Sequence, residues 1–336
     1  MADTLGFRST VGRLREGLVL VVTELARSEL RRASPGRPTA LTIGVFDGVH
    51  RGHQIVLKHV VESARQHDLA AAAITFHPHP RQVLRPDLPT EYVTSLEDRL
   101  SLILETGLDS VATVSFTSDF SLTDAGDFVR MLVEEFHLAR LIIGEDFALG
   151  RQRGGDPDTL KALGQELGYE VEVIELLTSD STDKVSSTEI RNALAEGDVT
   201  QVGDLLGRRY SLHGPVVVGF KRGRSIGFAT ANVAIGNDRA IPAPGVYATI
   251  AHLEAGPTPS VTNIGMRPTF DDGGGLSIEC HIIDFDEDIY GTDLRVEFVQ
   301  RLRGERKFGG VDELVEQIGR DRDAARELLA AMSTGS

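Results

Sequence analysis

From residue 40 to about 177 the chain alternates short apolar, β-branched runs with stretches of helical spacing, and after residue 210 that alternation stops. The runs at 41–46, 71–76, 111–116, 141–144 and 171–177 are apolar and β-rich and read as strands, the first of them buried. Between them lie helix signals: apolar spacing at Ile55, Val56 and Val60 within 54–63, Ser95 ahead of 96–105, and Asp156-Pro157 opening 158–167, which stops at Gly168. Such alternation predicts an α/β domain built on a parallel sheet. Residues 187–207 read as two short helices broken at Gly197-Asp198, the expected domain connector. Turn-punctuated β-rich segments at 211–220, 245–253, 277–285 and 294–302 then predict an antiparallel β-barrel, with helical spacing at 311–318 and 324–332 packed outside it. The expected layout is a lead-in at 1–38, an α/β domain at 39–197 and a barrel domain with C-terminal helices at 198–336.

Composition narrows the function. A chain of 336 residues that is 41% hydrophobic can build two cores. Its formal net charge of −15 argues against a nucleic-acid partner, since phosphate-backbone affinity needs clustered Lys and Arg. A single cysteine, Cys280, forms no intramolecular disulfide, and the apolar run at 17–22 is too short to span a bilayer before Glu24. With no signal-peptide cleavage pattern at the start, a cytoplasmic protein without a membrane partner is expected.

The stretch Gly44-Val45-Phe46-Asp47-Gly48-Val49-His50-Arg51-Gly52-His53 lies where the first strand gives way to a helix. Residues i and i+3 share a helix face, so both imidazoles can address one anion, and the unpaired N–H groups and dipole of a helix N-terminus already favour phosphate there. In an α/β sheet ligands bind at the carboxyl ends of the strands, which is where this turn falls. The plainer reading is two ordinary polar residues of a first helical turn.

The pattern His50-x-Gly52-His53 resembles the nucleotidylyltransferase signature, and the longer string from Gly44 to Gln54 is similar to the bacterial bifunctional riboflavin kinase and FMN adenylyltransferase family. The resemblance runs from about Thr39 to Leu329. It implies that Gly44, Phe46, Asp47 and Gly48 bind nucleotide beside His50 and His53, that Phe76 stands at a second strand end, and that Asp146 and Phe147, in 143–150, lie near nucleotide and flavin. It also implies that Ser187, Thr188 and Arg191, in 185–191, hold the β- and γ-phosphates, although helix capping explains Ser and Thr there as well. The string 74–80 departs from the family, which commonly has aspartate where this chain has His77. A zinc site of His77 and His79 is disfavoured, because Pro78 separates them and no carboxylate or thiolate adjoins.

In the second half, 219–232 resembles the family's kinase loop, with Gly223 and Gly227 at the phosphates and Thr230 and Asn232 as oxygen ligands of Mg2+ carried by ATP. Ala229 replaces the family's usual proline, which predicts a less preorganised loop. Glu279, in 277–285, stands where the family has its catalytic glutamate and is the candidate general base, although alternation alone reads it as an exposed strand carboxylate. Arg267, in 263–270, and the strings 288–291 and 302–308 resemble flavin-side loops. The resemblance implies riboflavin, FMN and ATP as small-molecule substrates and is compatible with a homo-oligomer. Two rival readings remain at this point: an adenylyltransferase for another phosphorylated substrate with an accessory barrel, and a flavin-binding protein that has lost activity.

Overall fold

Five short strands form a parallel sheet in the order β3-β2-β1-β4-β5: β1 (Thr39–Ile43), β2 (Ala70–His77), β3 (Ser110–Ser115), β4 (Leu138–Gly144) and β5 (Glu170–Ile174). The computed structural model describes residues 24–175, 185–219, 227–266 and 276–333. They fall into two compact units, one comprising residues up to 90 with 94–185, the other 91–93 with 186 onward. The sheet belongs to the first. Every residue of β1 is buried, which explains why its sequence shows no polar alternation. Ala40 faces a core shared with α2 (Arg51–Gln66) and, after the short α3 (Pro80–Leu84), α4 (Leu96–Leu104), whereas Leu41 and Ile43 face a second core shared with α1 (24–33), α5 (Ala125–Phe136) and α6 (Pro157–Leu167).

The strand order carries the functional point. The chain steps from β1 through β2 to β3 on one side, then returns to place β4 on the other side of β1. The crevice between the carboxyl ends of β1 and β4 is therefore the topological switch point, the usual ligand site of such sheets. The sequence does not mark α5, whose ends are local: the Asp124 side chain accepts the Asp127 N–H, and His137 closes the helix at φ 53°.

The second unit opens with α7 (Ser187–Glu196) and α8 (Val199–Leu206). These helices bury Ile190, Leu194, Val202 and Leu206 in the same core as the barrel strands, so they belong to the barrel rather than forming a bare connector. The strands β6 (Ser211–Val217), β7 (Ala231–Val233), β8 (Gly245–Leu253), β9 (Gly256–Met266), β10 (Leu276–Ile282) and β11 (Asp293–Arg303) close in the order β10-β7-β6-β11-β8-β9, every pairing antiparallel. Neither β7 nor β9 is evident from sequence, β7 because three residues give no periodicity.

The two expected C-terminal helices are instead one, α9 (Val311–Ser333). Gly319 costs a helix only about 1 kcal/mol relative to Ala, and the charged stretch that follows is anchored rather than frayed. Asp321, 6% exposed, accepts two hydrogen bonds from Arg303 Nε, at 3.1 and 3.0 Å, one from Arg303 Nη2 at 2.8 Å, and another from Gln317. Removing one member of a buried ion pair strands the other. Asp321→Ala is therefore expected to lower the unfolding free energy of the second unit by about 3 kcal/mol, measured by denaturant titration, with Asp321→Asn costing less.

Candidate active sites

The turn after β1 is built from unusual backbone. Phe46, Gly48 and Val49 take φ of 51°, 83° and 40°, a left-handed run that only glycine adopts without strain. Gly44 leaves the space into which the Phe46 ring folds back, since a Cβ there would fall 2.8 Å from it. The buried Phe46 ring meets His53 edge-on, with centroids 5.2 Å apart, and His53 stacks on His50 at 3.6 Å. One aromatic column thus orients both imidazoles.

The remaining atoms of the turn are tied from below. Asp47, 1% exposed, accepts the Thr94 N–H at 3.1 Å and its hydroxyl at 3.3 Å, while the Gly48 N–H donates to Thr94 Oγ1 at 3.0 Å. Gln54 Nε2 donates to the Val49 carbonyl, and Arg99 Nη1 to the Val45 carbonyl, each at 2.9 Å. Asp47 is thereby placed in the scaffold of the turn. Residue 50 is itself the N-cap, so α2 starts three residues before the periodicity at 54–63 suggests. His50 Nδ1 accepts the His53 N–H at 3.3 Å, which occupies one of the helix-end donors and leaves the His50 proton on Nε2. His53 Nδ1 is buried without a hydrogen-bond partner, although part of the ring reaches solvent. Burial first, then the neighbouring His50 and Arg99, holds the His53 imidazolium well below its ordinary pKa.

Other expected residues of this unit gather at the same sheet edge. Phe76, next to last in β2, packs edge-on against Phe116 at 5.6 Å. Beyond β4, Asp146 is exposed, its carbonyl accepting Arg153 Nη2 at 2.9 Å, and Phe147 packs half-buried on the core. Ser187, Thr188 and Arg191 lie on α7, in the second unit. Its N-cap is Ser186, whose hydroxyl accepts the Glu189 N–H, so capping does not use Ser187 or Thr188. Arg191 Nε donates to the Glu91 carbonyl at 2.6 Å.

In the barrel, strand register assembles the second constellation. Glu279 of β10 stands opposite Asn232 of β7 on one side and Asn263 of β9 on the other. Directly opposed residues bring their Cβ atoms within about 4.5–5.5 Å. Ile278, Cys280 and Ile282 point into the core, so Glu279 shares the opposite face with Asn232. Burial pushes the Cys280 thiol up, making it a poor nucleophile. Gly219 lets the Asn232 amide lie close against the backbone, since a Cβ at 219 would fall 2.3 Å from its Nδ2.

Thr230 lines a cavity of about 230 Å³ together with Ala229, Asp286, Glu287, Asp288 and Tyr290. Although Ala229 lacks a proline's fixed φ, its carbonyl faces His281 Nδ1 at 2.8 Å and Phe228 packs edge-on to that ring at 5.3 Å. His281, which the sequence marks only as a strand residue, thus holds the segment that leads into Thr230. Gly227 is exposed with φ 86°, while Gly223 and Arg267 lie outside the described residues.

Comparison with known proteins covers both units. A family model described as FAD synthetase matches residues 33–189, and one described as riboflavin kinase matches 206–329. The bifunctional riboflavin kinase/FMN adenylyltransferase of Listeria monocytogenes is 37% identical over 293 residues, covering 87% of this chain and 93% of its own. The chain belongs to that family. Its α/β unit carries the FMN adenylyltransferase domain and its barrel the riboflavin kinase domain, so it is an enzyme of FMN and FAD synthesis. The Bacillus subtilis and Escherichia coli K12 enzymes of the same description are 37% and 36% identical, covering 85% and 88% of this chain and 91% and 94% of theirs. A solved structure described as a macrolide-efflux protein from Streptococcus pneumoniae superposes with a TM-score of 0.81 at 29% identity, covering 88% of this chain and 96% of that one. Among the described residues no helix is long and apolar enough to cross a membrane.

The state of His53 has a measurable consequence. Because its folded-state pKa lies below the ordinary 6.5, the unfolded chain takes up a proton below that pH that the folded chain refuses. Its contribution to stability is complete above about pH 6.5 and falls as pH drops toward the folded value. Denaturant unfolding at about pH 7.5 and about pH 5.5 is expected to show a smaller loss on acidification in His53→Gln than in the wild type.

Proposed function

We propose that the barrel phosphorylates riboflavin at the face carrying Glu279, Asn232 and Thr230, and that the α/β unit adenylylates the resulting FMN at His50 and His53. The observation that carries the first step is the register that puts a half-buried carboxylate directly opposite Asn232. Glu279 takes the proton of the riboflavin terminal hydroxyl as its oxygen attacks the γ-phosphorus of ATP; ADP leaves, and the phosphoryl group stays on the flavin. Thr230 Oγ1 and Asn232 Oδ1 are hard oxygen donors that fit Mg2+ held by the ATP phosphates, and the ion supplies charge neutralisation at the γ-phosphate. The cavity beside Thr230 is the candidate seat for the flavin, with His281 steadying its wall through the Ala229 carbonyl.

In the second step an FMN phosphate oxygen attacks the α-phosphorus of a second ATP, and pyrophosphate leaves. The nucleophile is already an anion, so positioning and positive charge suffice. His50 donates from Nε2, the nitrogen its capping bond leaves protonated. His53 enters neutral, and an arriving triphosphate favours its protonated form, so it gains donor strength when charge gathers on the α-phosphate. Asp146 and Phe147, beyond β4, flank the same crevice and suit the ribose and flavin side. Ser187, Thr188 and Arg191, at the start of α7 in the second unit, suit phosphate by the logic of an anion at a helix start. A cytoplasmic location, where ATP and riboflavin meet, fits both reactions.

Single substitutions separate the two steps. His53→Ala is expected to lower FMN-to-FAD turnover by about 10²- to 10³-fold while leaving riboflavin phosphorylation intact. Glu279→Ala is expected to do the reverse when FMN is supplied. Chromatography of the flavins reads both, and loss of both products from either change, with circular dichroism unaltered, overturns the two-site reading.

A further inference from the structure

Among the described residues the largest wholly buried side chain is a charged one, Arg99. It lies on α4, one turn before Ile103, on the face that packs beneath the sheet. Its Nη1 donates to the Val45 carbonyl at 2.9 Å and reaches the Phe76 carbonyl at 3.4 Å. Those carbonyls belong to the carboxyl ends of adjacent parallel strands: Val45 follows β1, and Phe76 is next to last in β2. The Val45 carbonyl also accepts the Thr75 hydroxyl at 2.8 Å, so one oxygen is held from two elements. The next residue, Phe46, begins the left-handed run that carries the imidazole column.

As filler this residue makes little sense. An apolar side chain of similar volume would occupy the space without removing a cation from water, and such replacements are often neutral or stabilising. A guanidinium carries its Nη1 on a long planar group that reaches both carbonyls from the helix below, and it keeps its charge at any pH. We propose that Arg99 is a positioning residue for adenylyl transfer: it clamps the ends of β1 and β2 from beneath, holds the His50/His53 turn in place for a triphosphate, and adds a fixed positive charge under the site. The charged and titratable groups near His53 are His50 in its own column and Arg99 from α4, while Asp47 of the same turn is engaged by Thr94. The proposal rests on the adenylyltransferase reading of this unit.

Arg99→Met and Arg99→Lys test it in the full chain, with riboflavin phosphorylation by the barrel as internal control. For Arg99→Met, kcat for FMN to FAD is expected to fall by about 100-fold with the FMN KM changed less than about threefold, since an interaction that only orients the reacting groups is lost from kcat. Arg99→Lys, which keeps the charge on a shorter side chain that reaches the two carbonyls less well, is expected to fall only about tenfold. Followed by NMR, the His53 titration should move upward in Arg99→Met and stay near the wild-type position in Arg99→Lys. Wild-type kcat in a folded Arg99→Met protein overturns the proposal. Should Arg99→Met fail to fold, wild-type kcat in Arg99→Lys overturns it instead. If the wild-type chain itself makes no FAD from FMN, the adenylyltransferase reading fails first, and that outcome is distinct.

Discussion

A backbone that takes positive φ at Phe46, Gly48 and Val49 within four residues does not hold itself. Non-glycine residues in that region cost of the order of 1–3 kcal/mol each and persist only where their surroundings over-determine them. Here the surroundings are Asp47 and Gly48 bonded to Thr94, Gln54 bonded to the Val49 carbonyl, and Arg99 bonded to the Val45 carbonyl. The phosphate chemistry proposed for the first unit depends on this bracing. Without it Phe46 would leave the notch above Gly44, the imidazole column would lose its base, and the two histidines would be ordinary residues of a frayed first turn.

The barrel reaches a comparable result by a different route. Its candidate catalytic residues are positioned by register, with Asn232, Glu279 and Asn263 brought side by side across three strands, while the alternate residues of β10 fill the core. Only the approach to Thr230 needs local support, and His281 supplies it through the Ala229 carbonyl. A parallel sheet presents loops at strand ends, and a barrel presents strand faces. The enzyme uses each architecture for the step to which it lends itself.

The fold class is legible in the pattern of the sequence because burial on both faces of β1 and the turn-rich spacing after residue 210 are direct consequences of the two architectures. What is not legible is long-range. Strand order, which makes β1 and β4 the switch point, depends on a return crossing that leaves no local trace. Arg99 looks like any charged residue of a surface helix unless its place on the Ile103 face is noticed, and Thr94 carries no signal at all before Asp47 is seen to reach it. The break expected near 319–323 failed because Asp321 is held by Arg303, eighteen positions earlier in the chain. At the helix start the sequence indicates two imidazoles on one face; the column through Phe46, and the use of His50 as its own helix cap, emerge only in three dimensions.

One chain performs two different phosphorus transfers, breaking ATP at the γ-phosphorus in the barrel and at the α-phosphorus in the α/β unit. Isotopic labelling follows those bonds directly. Starting from riboflavin and magnesium, ATP labelled at the γ-phosphate is predicted to label FMN first and then FAD, whereas ATP labelled at the α-phosphate labels FAD alone. Label from the α-phosphate in FMN, or FAD that never acquires the γ-label, would rule out this division of the two transfers.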